Sequence, residues 1–130
     1  MEMSEKFPPN CPPPQAKPAS GEVYRLVDSD LPVAKDFLSL YELYPNRRGE
    51  APDIECQKSG LSVHTQESSA SKLIRRIPNF HNKKIAVGQL TPDLGVILNT
   101  SSRKNGSHHT WWVPAGKKPW TVFQVVDISK

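Results

Sequence analysis

"GLSVHTQESSASKLIRRIP", residues 60–78, changes its apolar period partway along. The first six residues alternate Leu61 and Val63 with polar neighbours, the two-residue repeat of a half-buried strand. From Thr65 the repeat lengthens. Ala70, Leu73, Ile74 and Ile77 fall at i, i+3, i+4 and i+7, which gathers them on one side of a helix over 66–77. Thr65 can cap that helix, Glu67 stands in its first turn, and Pro78 stops it. A strand followed at once by an amphipathic helix sets the theme of the fold.

Upstream, "EVYRLV", residues 22–27, forms a first strand that points Val23, Arg25 and Val27 one way and Tyr24 and Leu26 the other. "DSD" is a turn. Asp30 can cap a helix with Pro32 in its first turn, and Ala34, Phe37, Leu38, Tyr41 and Tyr44 make its stripe up to Pro45. Residues 45–56 are a polar loop. Downstream, 83–90 and 94–100 are strands separated by "TPD", and 108–114 returns antiparallel to 94–100 as a hairpin. Asn105-Gly106 supplies the positive φ of its loop. "WTVFQVVDI", 120–128, is apolar on both faces and is expected at the centre of the sheet. The order β, α, β, α and then a β-meander predicts an α+β domain over 21–130: a small antiparallel or mixed sheet with two helices.

Residues 1–20 hold six of the 13 prolines and few aliphatic side chains, the composition of a flexible proline-rich tail. With Cys11 in that tail, Cys11 and Cys56 are expected as free thiols in a reducing compartment. No secretory signal and no apolar run of membrane-spanning length is visible, which points to a cytoplasmic protein with no membrane contact. The sequons at "NTS" and "NGS" carry no weight without such a signal. A net charge of +4 favours an anionic partner without the charge density of a DNA-coating protein.

Candidate site residues concentrate in "NGSHHTWWVPAG", residues 105–116. Alternation places His109 and Trp111 on one face and His108 and Trp112 on the other. One tryptophan is expected in the core and the other beside Arg103, Lys104, Lys117 and Lys118. An aromatic face among cations could stack a base and neutralise its phosphate, or clasp an acidic protein. Lys72, Arg75, Arg76, Lys83 and Lys84 read as a solvated face. The histidine and cysteine spacings form no zinc set, so no metal is expected. "HHT" matches H-x-T, half of the signature of the two-histidine phosphoesterases, but "HTQ" at 64–66 does not complete the pair. No Gly-rich phosphate loop, GxSxG elbow or HExxH is present.

Three segments in order resemble the ADP-ribosyltransferase-like fold over about 22–128. "VYR" places Arg25 on the first strand, "GLSVHTQESSASKLI" resembles the second strand and its helix, and "VFQVV" the last strand. The resemblance implies NAD as the ligand, Arg25 in its site and Ser62 supporting the nicotinamide pocket. Where many members carry a catalytic glutamate on the last strand, this chain has Gln124, which cannot supply negative charge to an oxocarbenium-like transition state. The leading expectation is therefore a small interaction module that uses no cofactor. It binds a protein or nucleic acid through Arg103, Lys104, His108, His109, Trp111, Trp112, Lys117 and Lys118. An ADP-ribosyltransferase-like NAD-binding enzyme or inactive relative, and a structural subunit of an assembly, are the alternatives.

Overall fold

A computed structural model describes residues 7–47 and 49–126. Seven strands, β1 (Lys17–Pro18), β2 (Gly21–Val27), β3 (Leu61–His64), β4 (Lys84–Leu90), β5 (Val96–Asn99), β6 (His108–Trp112) and β7 (Phe123–Val125), make one sheet in the order β1-β5-β6-β3-β2-β4-β7. Every pairing is antiparallel. Three helices, α1 (Leu40–Leu43), α2 (Pro52–Ser59) and α3 (Glu67–Arg76), complete an α+β domain. No described helix is long and apolar enough to cross a membrane.

One face of the sheet carries the main core. Val23, Val27, Leu61, Val63, Ala86, Leu90, Trp111 and Phe123 project into it, and Phe37, Leu94 and Ala19 cover them. The Phe37 ring meets Trp111 edge-on at 6.5 Å and lies 5.0 Å from Phe123, while Trp111 and Phe123 stack at 5.9 Å. Such aromatic contacts add to the area term that dominates core stability. Gly88 admits the Phe123 ring, which lies 2.7 Å from where a Cβ would stand. The amphipathic helix expected over 66–77 is α3; it packs on the other face, over β2, β3 and β4, with Ala70 fully buried.

Five expectations need correction. The helix expected from Asp30 to Tyr44 is broken. Residues Ala34–Phe37 form a 3-10 turn, Leu38 is extended, and Ser39 caps the one-turn α1 in a reciprocal capping box with Glu42. The break follows from Asp36, whose buried carboxylate takes the backbone N–H groups of Asp28 and Val33 at 3.0 Å each and so fixes the turn. Secondly, the loop at 45–56 contains the start of α2. This helix lacks an apolar stripe and relies on Pro52 in its first turn, with Asp53 and Glu55 complementing the helix dipole. Thirdly, the last strand is at the edge of the sheet, because Pro119–Val122 turns as a 3-10 helix and only Phe123–Val125 pairs, with β4. The end of the expected strand, 127–128, lies outside the described residues. Fourthly, the β5–β6 hairpin forms as expected, with Val96 opposite Trp112 and Asn99 opposite His109, but neither Asn105 nor Gly106 has positive φ. Ser102 and Asn105 exchange backbone hydrogen bonds instead, leaving Arg103 and Lys104 at the tip.

The fifth correction concerns the leader. Lys17–Pro18 pairs with Val96–Ile97, the Ala19 N–H donates to the Gly95 carbonyl at 2.8 Å, and Ala19 is completely buried. Gly95 holds φ +117°, a conformation that favours glycine, while its carbonyl makes this contact. Cys11 is disulfide-bonded to Cys56 with Cα atoms 5.6 Å apart, so neither thiol is free and the cysteines give no support for a reducing compartment. A single small residue filling a core niche leaves no compositional trace, which is why the proline count dominated the reading. Residues 1–6 lie outside the described residues.

Deleting residues 1–20 removes the buried Ala19, strand β1 and a crosslink of sequence separation 45. Loop-closure entropy alone assigns that crosslink about 4 kcal/mol. The deletion is expected to lower the thermal midpoint by on the order of 10 °C or more, and Cys56→Ser to reproduce a large part of the drop. A differential scanning experiment on both variants checks this, and an unchanged midpoint rules out a docked leader.

Candidate functional site

β2 and β3 share one register pair, Tyr24 opposite His64. Beyond it the two strands part, whereas β2 stays paired with β4 along its whole length. The divergence exposes strand edges whose backbone groups need other partners. Half-buried Arg25 supplies one: its Nη1 donates to the Ser62 carbonyl at 2.8 Å. Its Nε donates to the Asp36 carbonyl at 3.1 Å, and its guanidinium lies 5.3 Å from the centre of the Phe37 ring. Burial pushes the Arg25 pKa down to about 10, opposed by the negative charge of Asp36, so the group stays protonated at neutral pH. Asp36 is itself held below the ordinary carboxylate range; burial opposes its ionisation but is outweighed by the hydrogen bonds it accepts.

The opening leads into a cavity of about 510 Å³ between the parted strands, α1, α2 and α3. Leu26, Leu40, Leu43 and Leu73 contribute apolar wall, and Arg25, Lys58 and Lys83 contribute charge, with no carboxylate among the described lining residues. Lys58 is 2.8 Å from Glu50 and Lys83 is 3.0 Å from Asp28. These are solvent-accessible ion pairs of small net strength, so both ammonium groups can turn toward a bound anion.

Ser62 and His108 also line the cavity. Ser62 Oγ lies 2.9 Å from His108 Nε2, His108 Nδ1 lies 2.7 Å from Thr100 Oγ1, and Thr100 Oγ1 lies 2.9 Å from Thr110 Oγ1. The chain of contacts is consistent with a proton on His108 Nδ1. Nδ1–H then donates to Thr100, and Nε2 accepts from the Ser62 hydroxyl. Burial holds His108 below its ordinary pKa, with its hydrogen bonding to Thr100 acting the other way. His64 sits edge-on to His108 with ring centres 5.6 Å apart, and it is only 3% exposed. Its Nδ1 is buried without a hydrogen-bond partner, although the neighbouring Asn105 side chain favours its charged form. Burial first, and the facing His108 second, push His64 down to about 4.

The residues singled out in the sequence separate into three groups. Arg25 and Ser62 meet in the cavity, but Gln124 does not. It is exposed on β7, with β4 and β2 between it and β3, a lateral separation of roughly 14 Å at ordinary strand spacing. His108 and His109 point to opposite faces as expected; His108 belongs to the cavity and His109 Nδ1 is 2.9 Å from the Ser107 carbonyl. Trp111 and Trp112 are both buried, at 0% and 1% exposure, which corrects the expectation of an exposed aromatic face. Their indole N–H groups donate to the Leu94 carbonyl at 2.8 Å and the Cys56 carbonyl at 2.9 Å, so the unforeseen α2 covers the face that was expected to be open. Arg103 and Lys104 are at the tip of the β5–β6 hairpin, while Lys117 and Lys118 follow its opposite end, so the four cations form no single patch.

His64, Thr100 and Lys58 were not singled out. His64 and His108 are 44 residues apart in sequence and become cross-strand neighbours only through the β3–β6 pairing. The near-match of "HHT" and "HTQ" to a two-histidine pattern was the one available signal. No family model, curated protein or solved structure matches the chain.

Because His64 stays neutral in the fold but binds a proton near its ordinary pKa when unfolded, the unfolded chain takes up more protons between about pH 6.5 and 4. Stability is therefore expected to be full above that window and to fall as pH falls through it, by on the order of 3 kcal/mol. Urea unfolding across this range, compared with His64→Gln, checks the assignment: the variant should show a flatter profile.

Proposed function

We propose that the chain binds a phosphate-bearing small molecule in the opening between β2 and β3, with NAD as the first ligand to test. The observation that carries this reading is the Arg25–Ser62 contact across the parted strands. A half-buried cation and a hydroxyl-bearing residue line the same cavity, with two further lysines and apolar walls. Ring systems suit the leucine surfaces, and phosphates suit the cations. Arg25 and Ser62 are also the positions that the ADP-ribosyltransferase-like resemblance implicates, which is why NAD leads. The displaced Gln124 means that the reading includes no role for the last strand, and the cavity has no described carboxylate to stabilise a glycosyl cation.

A second reading, a protein partner, is favoured by a different surface from the hairpin. Leu31, Leu40, Leu43 and Ile54 are 77%, 47%, 50% and 42% exposed, a concentration of apolar side chains within residues 31–54.

Calorimetric titration with NAD tests the first reading. Arg25→Lys, which keeps the charge but loses the two-pronged geometry, should weaken binding at least about tenfold. Ser62→Tyr, at an exposed position facing the cavity, should block it, and Gln124→Ala should leave it unchanged. Absence of heat with NAD and with ATP, or binding indifferent to Ser62→Tyr, rejects the cleft. A partner that is lost in Leu31→Glu/Ile54→Glu, two exposed positions outside the cavity, but retained in Arg25→Lys favours the second reading.

A further inference from the structure

Resting on the cleft reading above, we infer that Ser62 is a nucleophile toward phosphorus, activated by His108 and oriented through Thr100, and that the bound molecule is a phosphodiester or phosphoanhydride. Three observations converge. Ser62 Oγ and His108 Nε2 are within 2.9 Å, the reach needed for proton transfer, and the far side of the ring is fixed by Thr100 at 2.7 Å. Thr100 is in turn held by buried Thr110 at 2.9 Å, so the base has a supported orientation. Arg25 is locked to the backbone carbonyl of Ser62 itself, which fixes the stretch of β3 from which the hydroxyl projects.

The chemistry closes without a redox partner. The Ser62 hydroxyl attacks phosphorus; the Oγ–P bond forms as the P–O bond to the leaving group breaks. The Oγ proton passes to His108 Nε2 and from there to the departing oxygen. Water then attacks the phosphoserine phosphorus, the Oγ–P bond breaks, and a proton of that water returns through His108 to Ser62 Oγ. The sum is a phosphodiester and water giving a phosphomonoester and an alcohol. Burial keeps His108 neutral near pH 7, the form that can take the proton. The cations around the cavity offset charge on the phosphoryl oxygens in the transition state.

The experiment uses the full chain with bis-p-nitrophenyl phosphate. Nitrophenolate release and the mass of the Ser62-containing peptide after acid quench are followed together, and binding of the same probe to Ser62→Ala is measured by calorimetry. The inference predicts release, an added nitrophenyl phosphate on Ser62, and loss of both in Ser62→Ala, with probe binding retained. Thr100→Val should slow release at least tenfold while the adduct remains on Ser62. His108→Gln should reduce release at least a hundredfold with its thermal midpoint near that of the parent chain. Binding to Ser62→Ala with no release and no adduct in the parent overturns the nucleophile and leaves the cleft standing. Absence of probe binding overturns the phosphodiester assignment, and absence of binding by NAD and ATP as well overturns the cleft with it. Release from p-nitrophenyl acetate but not from the phosphodiester overturns the assignment to phosphorus.

Discussion

The bond from Arg25 to the Ser62 carbonyl is the constraint on which the architecture of the cleft depends. Strands that part inside a sheet leave backbone groups without ladder partners, and such groups are costly unless something else reaches them. Arg25 reaches Ser62, and it is held for that purpose by the Asp36 carbonyl and the face of Phe37. Asp36 in turn depends on the N–H groups of Asp28 and Val33. The 3-10 turn after β2, the break before α1 and the gap between β2 and β3 are thus one linked arrangement. A helix running unbroken from Asp30 to Tyr44 would deny Asp36 its place in it.

The two faces of the sheet are each anchored by a tryptophan. Trp111 fills the main core and Trp112 the space beneath α2, each with its indole N–H satisfied by a carbonyl. This division lets a five-residue strand, β6, anchor both faces of the sheet while presenting His108 to the cleft. The residues that make the strand rigid and the residue that faces the cavity are separate side chains on the same short element. A rigid strand is a better support for a reacting group than a loop.

Much of the fold was legible because it follows local periodicity. The 70–77 stripe identified α3, and alternation located β2, β3, β4 and the β5–β6 hairpin to within a few residues. The parts that escaped depend on distant partners. α2 has no apolar stripe, and its Cys56 is fixed by a disulfide and by the Trp112 indole. Ala19 resembles any other residue of a proline-rich leader until its N–H meets the Gly95 carbonyl and its methyl enters the core. Of the candidate site, Arg25, Ser62 and His108 were visible as residues, but their meeting was not. It requires the β3–β6 register and the departure of β2 from β3, neither of which leaves a local pattern. The hairpin cations lie at opposite ends of the hairpin, because nearness in sequence does not bring those two ends together.

The crosslink between Cys11 and Cys56 also changes how the molecule would carry mechanical load. Force applied at the two ends of the chain passes from one sulfur to the other and bypasses everything between them. The shielded segment covers a sequence separation of 45, on the order of 160 Å of contour that cannot be drawn out while the bond is intact. β2, Arg25, Asp36 and α1 all lie inside that closed ring, whereas Ser62 and His108 lie outside it. Tension would therefore strip one wall of the cleft from the other and leave the shielded wall slack: a fracture plane set by covalent connectivity.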